Sequence, residues 1–280
     1  MAVTQLVEDI LMDLVESMKK IGIKIETVMQ ESSSGQFEMT FAVVEGIEAA
    51  DMLADFKTAA YVYLQKKGLN VEFMTCLHPG LDSNGCHYNF SLWDSHGRNV
   101  FADLDDEEKL STISRHWLAG MVEHAPAMVA LMCPTINCFR RIGSEWAPQF
   151  ANWAEENRMA SFRVKIERGG NVYIENRLPS GACNPYLVLA GTLAAGMDGL
   201  RRKLVLPRPM DESLRLPPTL GDALIALEMD GLMREALGEK LVELFVHSKR
   251  TFEVDEFKAF GELSDEEMLL KEKEYYYHPY

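Results

Sequence analysis

SFRVKIE (161–167) alternates Phe162, Val164 and Ile166 against Arg163, Lys165 and Glu167. NVYIENR (171–177) comes directly after it and sets Tyr173, Glu175 and Arg177 on one face. A period of two means strands with one apolar and one polar side. Working outward, CHYNFSLWD (86–94) puts Cys86, Tyr88, Phe90 and Leu92 on one face and His87, Asn89, Ser91 and Trp93 on the other. FEMTFAVV (37–44) alternates as well, and IKIETV (23–28) and VEFMT (71–75) read as further strands. Strands buried on both faces of a parallel sheet would be continuously apolar; these are not. The expected fold is therefore α+β: a largely antiparallel sheet, polar on one face and flanked by helices.

The helices separate by period. Residues 3–20 carry Val3, Leu6, Val7, Ile10, Leu11, Leu14, Val15 and Met18 on one stripe, closed by Gly22. Residues 46–67, 106–131 and 184–202 are expected to be helical, and smaller helices fill 219–260. The proline-rich stretch 203–218 reads as a loop inside one domain, because the helices beyond it are too small to fold alone. The ending KEKEYYYHPY leaves a docked and a frayed tail both open.

Composition narrows the function classes. The 280 residues carry a formal charge of -15, which argues against nucleic acid and against an anionic membrane surface as partners. The acidic N-terminus is not a signal peptide, and no stretch approaches the roughly 18 to 20 apolar residues of a membrane span. Cys76, Cys86, Cys133, Cys138 and Cys183 are odd in number and lack a CxxC pair, which suits a reducing, cytoplasmic setting.

The polar strand faces carry the chemistry. Glu31, Glu38, His87 and Glu175 offer oxygen and nitrogen donors suited to Mg²⁺ or Mn²⁺. Arg158, Arg163 and Arg177 can hold phosphate or carboxylate by paired hydrogen bonds. One such strand glutamate is ordinarily just solvated or salt-bridged. Together the two sets would serve metal-assisted phosphoryl transfer. Neither a Walker A motif nor a Rossmann glycine pattern is present.

The segments around these residues resemble glutamine synthetases. ESSSGQFE (31–38) resembles their E-x-x-x-GQ-x-E element, and GCHYNFSLWD (85–94) their histidine strand ending in SLWD. HAPAMVALMCPTINCFRR (124–141) is similar to the helix ending in PT-x-NSYKR. NWAEENRMASFRV (152–164) and IENRLPSGACNPYLVLAGTLAAGMDGL (174–200) match W-x-x-x-NR-x-A-x-x-RV and E-x-R-x-P…NPYL…AAG-x-DG. The resemblance implies ATP-dependent ligation of glutamate to ammonia through a γ-glutamyl phosphate, with Mg or Mn. It implies Glu31, Glu38, His87 and Glu175 as metal ligands, Ser91 and Arg158 near the nucleotide, and Arg141, Arg158, Arg163 and Arg177 on substrate or phosphate. It also implies a homo-oligomer, a dodecamer of two stacked hexamers. Residues 1–280 are expected to be the catalytic domain, with the family's N-terminal β-grasp domain and first metal-ligand strand outside these residues.

Departures from the pattern point elsewhere. Asp82-Ser83 stands where the family has Asn-Gly, and an added carboxylate should repel glutamate. Cys76 replaces a lysine, Asn89 a second histidine, and Trp146 aligns with the flap glutamate beside Glu145. These changes resemble the eye-lens branch of the family, the lengsins, described as inactive. That resemblance implies a pseudoenzyme with a structural role among lens cytoskeletal proteins and at best weak binding of nucleotide. The alternative is an active ATP-dependent γ-glutamyl ligase using ammonia or another amine.

Overall fold

The computed structural model describes residues 2–277, with side chains from residue 7, so the expectations for Val3 and Leu6 lie outside the described residues. Helix α1 (Ala2–Lys20) leads into an antiparallel hairpin, β1 (Ile25–Gln30) and β2 (Phe37–Phe41), and then α2 (Glu48–Lys66). Leu14 and Met18 of α1 meet Phe56, Ala60 and Leu64 of α2, and Met39 and Phe41 of the hairpin close this smaller core. The hairpin pairs Met29 with Glu38 and Gln30 with Phe37. Its loop turns at Gly35, whose φ of 79° a side chain would resist.

The second sheet runs β3 (Tyr88–Phe90), β6 (Val172–Asn176), β5 (Phe162–Ile166), β4 (Trp153–Glu155) in spatial order. Strands β3 and β5 each pair antiparallel with β6 between them, and β4 joins β5 in parallel. Phe162, Val164, Val172 and Ile174 are buried against the main core, as the alternation requires. That core is built on α3 (Thr112–Met132) and α4 (Pro185–Arg202). Ser111 caps α3 and Asn184 caps α4, each through its side-chain oxygen, with Pro185 in the first turn of α4. The helices cross at Gly120, Gly196 and Gly199; a Cβ on Gly120 would stand 2.1 Å from the Ala195 carbonyl oxygen.

The remaining helices are α5 (Leu220–Met229), α6 (Gly231–Leu237), α7 (Glu239–Lys249), α8 (Asp255–Ala259) and α9 (Asp265–Tyr276). Among the described residues no helix is long and apolar enough to cross a membrane.

The α+β class holds, with corrections of detail. The expected sheet is two separate ladders. Residues 71–75 join neither, because their polar groups are spent on loop contacts: the Thr75 carbonyl accepts from Asn84 N (2.7 Å) and the Met74 carbonyl from Asn84 Nδ2 (2.8 Å). Helix α3 starts at Thr112 and not at 106. Asp106 turns its carboxylate onto the N–H groups of Glu108 (3.0 Å) and Leu110 (3.4 Å), a local alternative to helix.

Candidate active site

Strand β6 sets the site. Its inward residues are locked in the core, so Tyr173, Glu175 and Arg177 must face the other way. Ladder register then aligns Asn89, Glu175 and Arg163 across three adjacent strands.

Glu175 is the hub, with 8% of its side chain exposed. Its Oε1 accepts from Arg177 Nη1 at 3.0 Å and lies 3.2 Å from His87 Nδ1. Its Oε2 accepts from Arg163 Nη1 at 3.2 Å. Burial alone would raise this carboxyl; the His87 hydrogen bond and the charges of Arg177 and Lys165 override it and hold the group down to about 2. Burial, with Arg141 and Arg177 nearby, pushes His87 down to about 4 despite Glu175. A neutral His87 cannot supply Coulomb attraction to Glu175, so at neutral pH the guanidinium groups and Lys165 keep the carboxylate charged. Arg141 Nη2, a donor only, stands 3.2 Å from His87 Nε2. Nδ1 faces an acceptor, Glu175 Oε1 at 3.2 Å, and a donor, Arg177 Nη1 at 3.4 Å. With Nε2 accepting from Arg141, the proton sits on Nδ1 and goes to the nearer carboxylate, and Arg177 is satisfied by Glu175 Oε1 instead.

Arg141 comes directly after the short 3₁₀ turn Ile136–Arg140 and is 4% exposed. It also donates to the carbonyls of Arg177 (2.9 Å) and Leu178 (3.2 Å). Gly85 makes room for it: a Cβ there would meet His87 Nε2 at 2.8 Å and Arg141 Nη2 at 3.2 Å. Arg177 Nη2 donates to the carbonyl of Trp146 at 3.1 Å. Trp146 is exposed and takes a left-handed φ of 63°.

The hairpin brings the other carboxylates. Glu38 is pushed up to about 7, first by its hydrogen bond with Glu31, then by burial and by repulsion from Glu31 and Glu175, against the charge of Arg158. Carboxyl groups gathered this way need a shared proton or a cation between them. Carboxylate oxygens are the donor type that a hard divalent ion takes. Arg163 Nε and Arg177 Nε are buried with no partner among the described residues, donors left over for an anion.

The expected residues are thus largely brought together: Glu175, His87, Arg141, Arg163 and Arg177 by direct contacts, Glu31, Glu38 and Arg158 by their fields. Ser91 is the exception: its Oγ accepts from Trp93 Nε1 at 2.9 Å. Of the departures, Asp82 is exposed and its N–H donates to Ser33 Oγ at 3.0 Å, on the hairpin loop. Cys76 is bound through its backbone by Asn137. Sequence reasoning missed Glu156, which pairs with Arg163 from a left-handed φ of 48° just past β4. Its position two residues before Arg158, in the AEENR run, is the signal that could have found it.

Comparison with known proteins gives the family. The family described as "Glutamine synthetase, catalytic domain" matches residues 1–268. A glutamine synthetase of Halobacterium salinarum is 35% identical over 278 residues, covering 92% of this chain and 60% of that protein. A glutamate–methylamine ligase of Methyloversatilis universalis is 34% identical over 259 residues, covering 84% and 57%. The solved structure "GmaS/ADP complex-Conformation 1" superposes with a TM-score of 0.84 at 29% identity, over 94% of this chain and 63% of that one. The chain thus spans about three fifths of the length of these relatives. Both named sequence relatives are microbial ligases, and neither supports the lens branch as the nearer resemblance. By sequence and by fold, the chain belongs to the glutamine synthetase family, through its catalytic domain.

Proposed function

We propose that this chain is the catalytic domain of an ATP-dependent γ-glutamyl ligase, joining glutamate to ammonia or a small amine in the cytoplasm. The observation that carries the reading is the intact hub: Glu175 held by His87, Arg163 and Arg177 on one sheet face. In this reading Glu31, Glu38 and Glu175 would hold Mg²⁺ or Mn²⁺, and His87, expected as a fourth ligand, instead orients Glu175, because its Nε2 lone pair faces Arg141 and its Nδ1–H faces the carboxylate. When bound, such an ion supplies charge neutralisation on the transferring phosphoryl oxygens. The chain's own groups do the rest. Arg163 and Arg177 keep unpaired Nε donors for a phosphate or carboxylate oxygen. Arg141 fixes the His87 ring, and the Nδ1–H bond to Glu175 fixes its tautomer. Arg158, exposed and facing Glu38 and Arg177, adds positive field where anionic substrates gather.

The inactive reading rests on Asp82-Ser83, Cys76 and Trp146. Cys76 is turned into the Asn137 contact, and Trp146 enters the cluster through its backbone carbonyl. Only Asp82 adds charge beside the hairpin, which weakens substrate binding without removing any group from the hub. A ligase is therefore favoured over a lens scaffold. The assembly that goes with it is the family's stacked double hexamer.

The test is phosphate release with Mg²⁺, ATP, glutamate and a panel of ammonia, methylamine and longer amines. Release that depends on an amine and is lost in Glu175→Ala is the expected result. Release absent with every amine, from folded full-length protein, would return the inactive reading.

A further inference from the structure

Helix α9 packs on the 3₁₀ turn that precedes Arg141, and nothing in the chemistry above uses it. Its Glu272 is 1% exposed. Glu272 Oε2 accepts from Asn137 Nδ2 (2.7 Å) and Arg140 Nε (2.8 Å), and Oε1 accepts from the same Nε (3.0 Å). Asn137 is fully buried and clamps the backbone of Cys76 from both sides: Cys76 N donates to its Oδ1 (2.7 Å), and its Nδ2 donates to the Cys76 carbonyl (3.0 Å). One helical turn on, the Tyr276 hydroxyl accepts from Ile136 N (3.2 Å) and donates to Glu253 Oε2 (2.5 Å). Tyr276 also stacks on Phe257 with the rings 9° apart.

Two features single this contact out. First, α9 already docks through apolar groups, Leu269 and the rings of Tyr275 and Tyr276 on Phe257, yet its other fully buried residue is a carboxylate, Glu272. A carboxylate buried in that place costs desolvation that a methionine or leucine would not. What the carboxylate adds is direction, since it bonds two side chains of one short turn at fixed angles. Second, that turn, Ile136–Arg140, ends where Arg141 begins, and Arg141 holds His87 Nε2. The path from α9 to the imidazole is therefore Glu272, the 3₁₀ turn, Arg141, His87, with every link a hydrogen bond or a peptide bond.

We infer that Glu272 is a positioning residue of the active site, fixing the 3₁₀ turn so that Arg141 reaches His87. Its effect on catalysis rests on the ligase reading; its effect on the Arg141–His87 contact does not.

Two measurements on the full-length protein separate these. The first is the rate at which diethyl pyrocarbonate modifies His87, tracked by peptide mass spectrometry. Arg141 occupies the Nε2 lone pair, so loosening the turn exposes the nucleophilic nitrogen. Glu272→Gln keeps the shape and removes the charge; Glu272→Ala removes both. His87 should react several-fold faster in each, and at the parent rate in Lys271→Ala, which breaks a pair with Glu274 and a cation–π contact with Phe260 and touches neither Asn137 nor Arg140. The second is kcat/KM for glutamate, expected to fall about tenfold to a hundredfold in Glu272→Gln, as for a displaced catalytic group. Unchanged His87 reactivity and unchanged kcat/KM in folded Glu272→Gln, with only a lower Tm, would make α9 a stabilising element and overturn the inference. If the parent protein releases no phosphate, the ligase reading fails, and the reactivity of His87 still decides the positioning.

Discussion

Gly85→Ala is the sharpest probe of the site, because it adds one methyl group and removes nothing. The new Cβ would lie 2.8 Å from His87 Nε2, 3.3 Å from His87 Cδ2 and 3.2 Å from Arg141 Nη2. Ordinary contact begins near 3.4 Å, so the imidazole must retreat by at least 3.4 - 2.8 = 0.6 Å. The Arg141–His87 hydrogen bond, already 3.2 Å long, does not survive that displacement. Both obstructing groups are side-chain ends, and Gly85 does not have a positive φ. The backbone thus accepts alanine, and stability should change by less than about 1 kcal/mol. A reacting group shifted by a fraction of an ångström to one ångström costs about tenfold to a hundredfold in rate. The assay is amine-dependent phosphate release alongside thermal unfolding. A variant with parent kinetics and parent Tm would refute the placement of Arg141 against His87. One that simply unfolds would show that Gly85 serves the fold first.

Separate parts of the molecule supply other tests. Gly120→Ala drives a Cβ to 2.1 Å from the Ala195 carbonyl oxygen, where α3 meets α4 backbone to backbone; overpacking should cost about 1–3 kcal/mol, read as a lower denaturation midpoint with unchanged m, whereas Gly231→Ala, facing open space, should not. His124 lies between Asp230 (2.6 Å) and Asp198 (3.0 Å). Burial pulls its pKa down, but the two carboxylates win and raise it. Its contribution is therefore complete below the unfolded value of about 6.5 and is lost as pH rises through the folded one. Tm should fall with rising pH across that window, and His124→Gln should abolish that slope. Asp82→Asn should lower KM for glutamate about twofold to fivefold, with the difference shrinking in high salt; an unchanged KM would place Asp82 outside the substrate's field.

Legibility in the sequence tracked the reach of each interaction. Period-two alternation of 161–167 and 171–177 exposed the polar face, because burial of Phe162, Val164, Val172 and Ile174 is a local pattern with a single solution. Five ordered motifs then assigned roles to that face. The α3 boundary was missed because Asp106 competes for backbone donors, an effect of one side chain and not of periodicity. Strand β4 was missed because three residues, Trp153–Glu155, carry too little pattern to read. Helix α9 was missed because its partners, Asn137 and Arg140, lie more than a hundred residues upstream. The sequence therefore leaves a docked and a frayed tail both open.

The site's carboxylates come from two bodies with separate cores: Glu31 and Glu38 ride on the small one, Glu175 on the large one. Polar stitches close the seam, among them Lys57 Nζ to the Gly181 (2.7 Å) and Cys183 (3.2 Å) carbonyls and Tyr186 to Asp51 (2.6 Å). A polar seam slides more easily than a hydrophobic one, so the span between hairpin and sheet is the softest dimension of the catalytic geometry. Whatever binds across it acts as a further rivet, and amide exchange in α1, α2 and the hairpin should slow on ligand binding even where no ligand touches them.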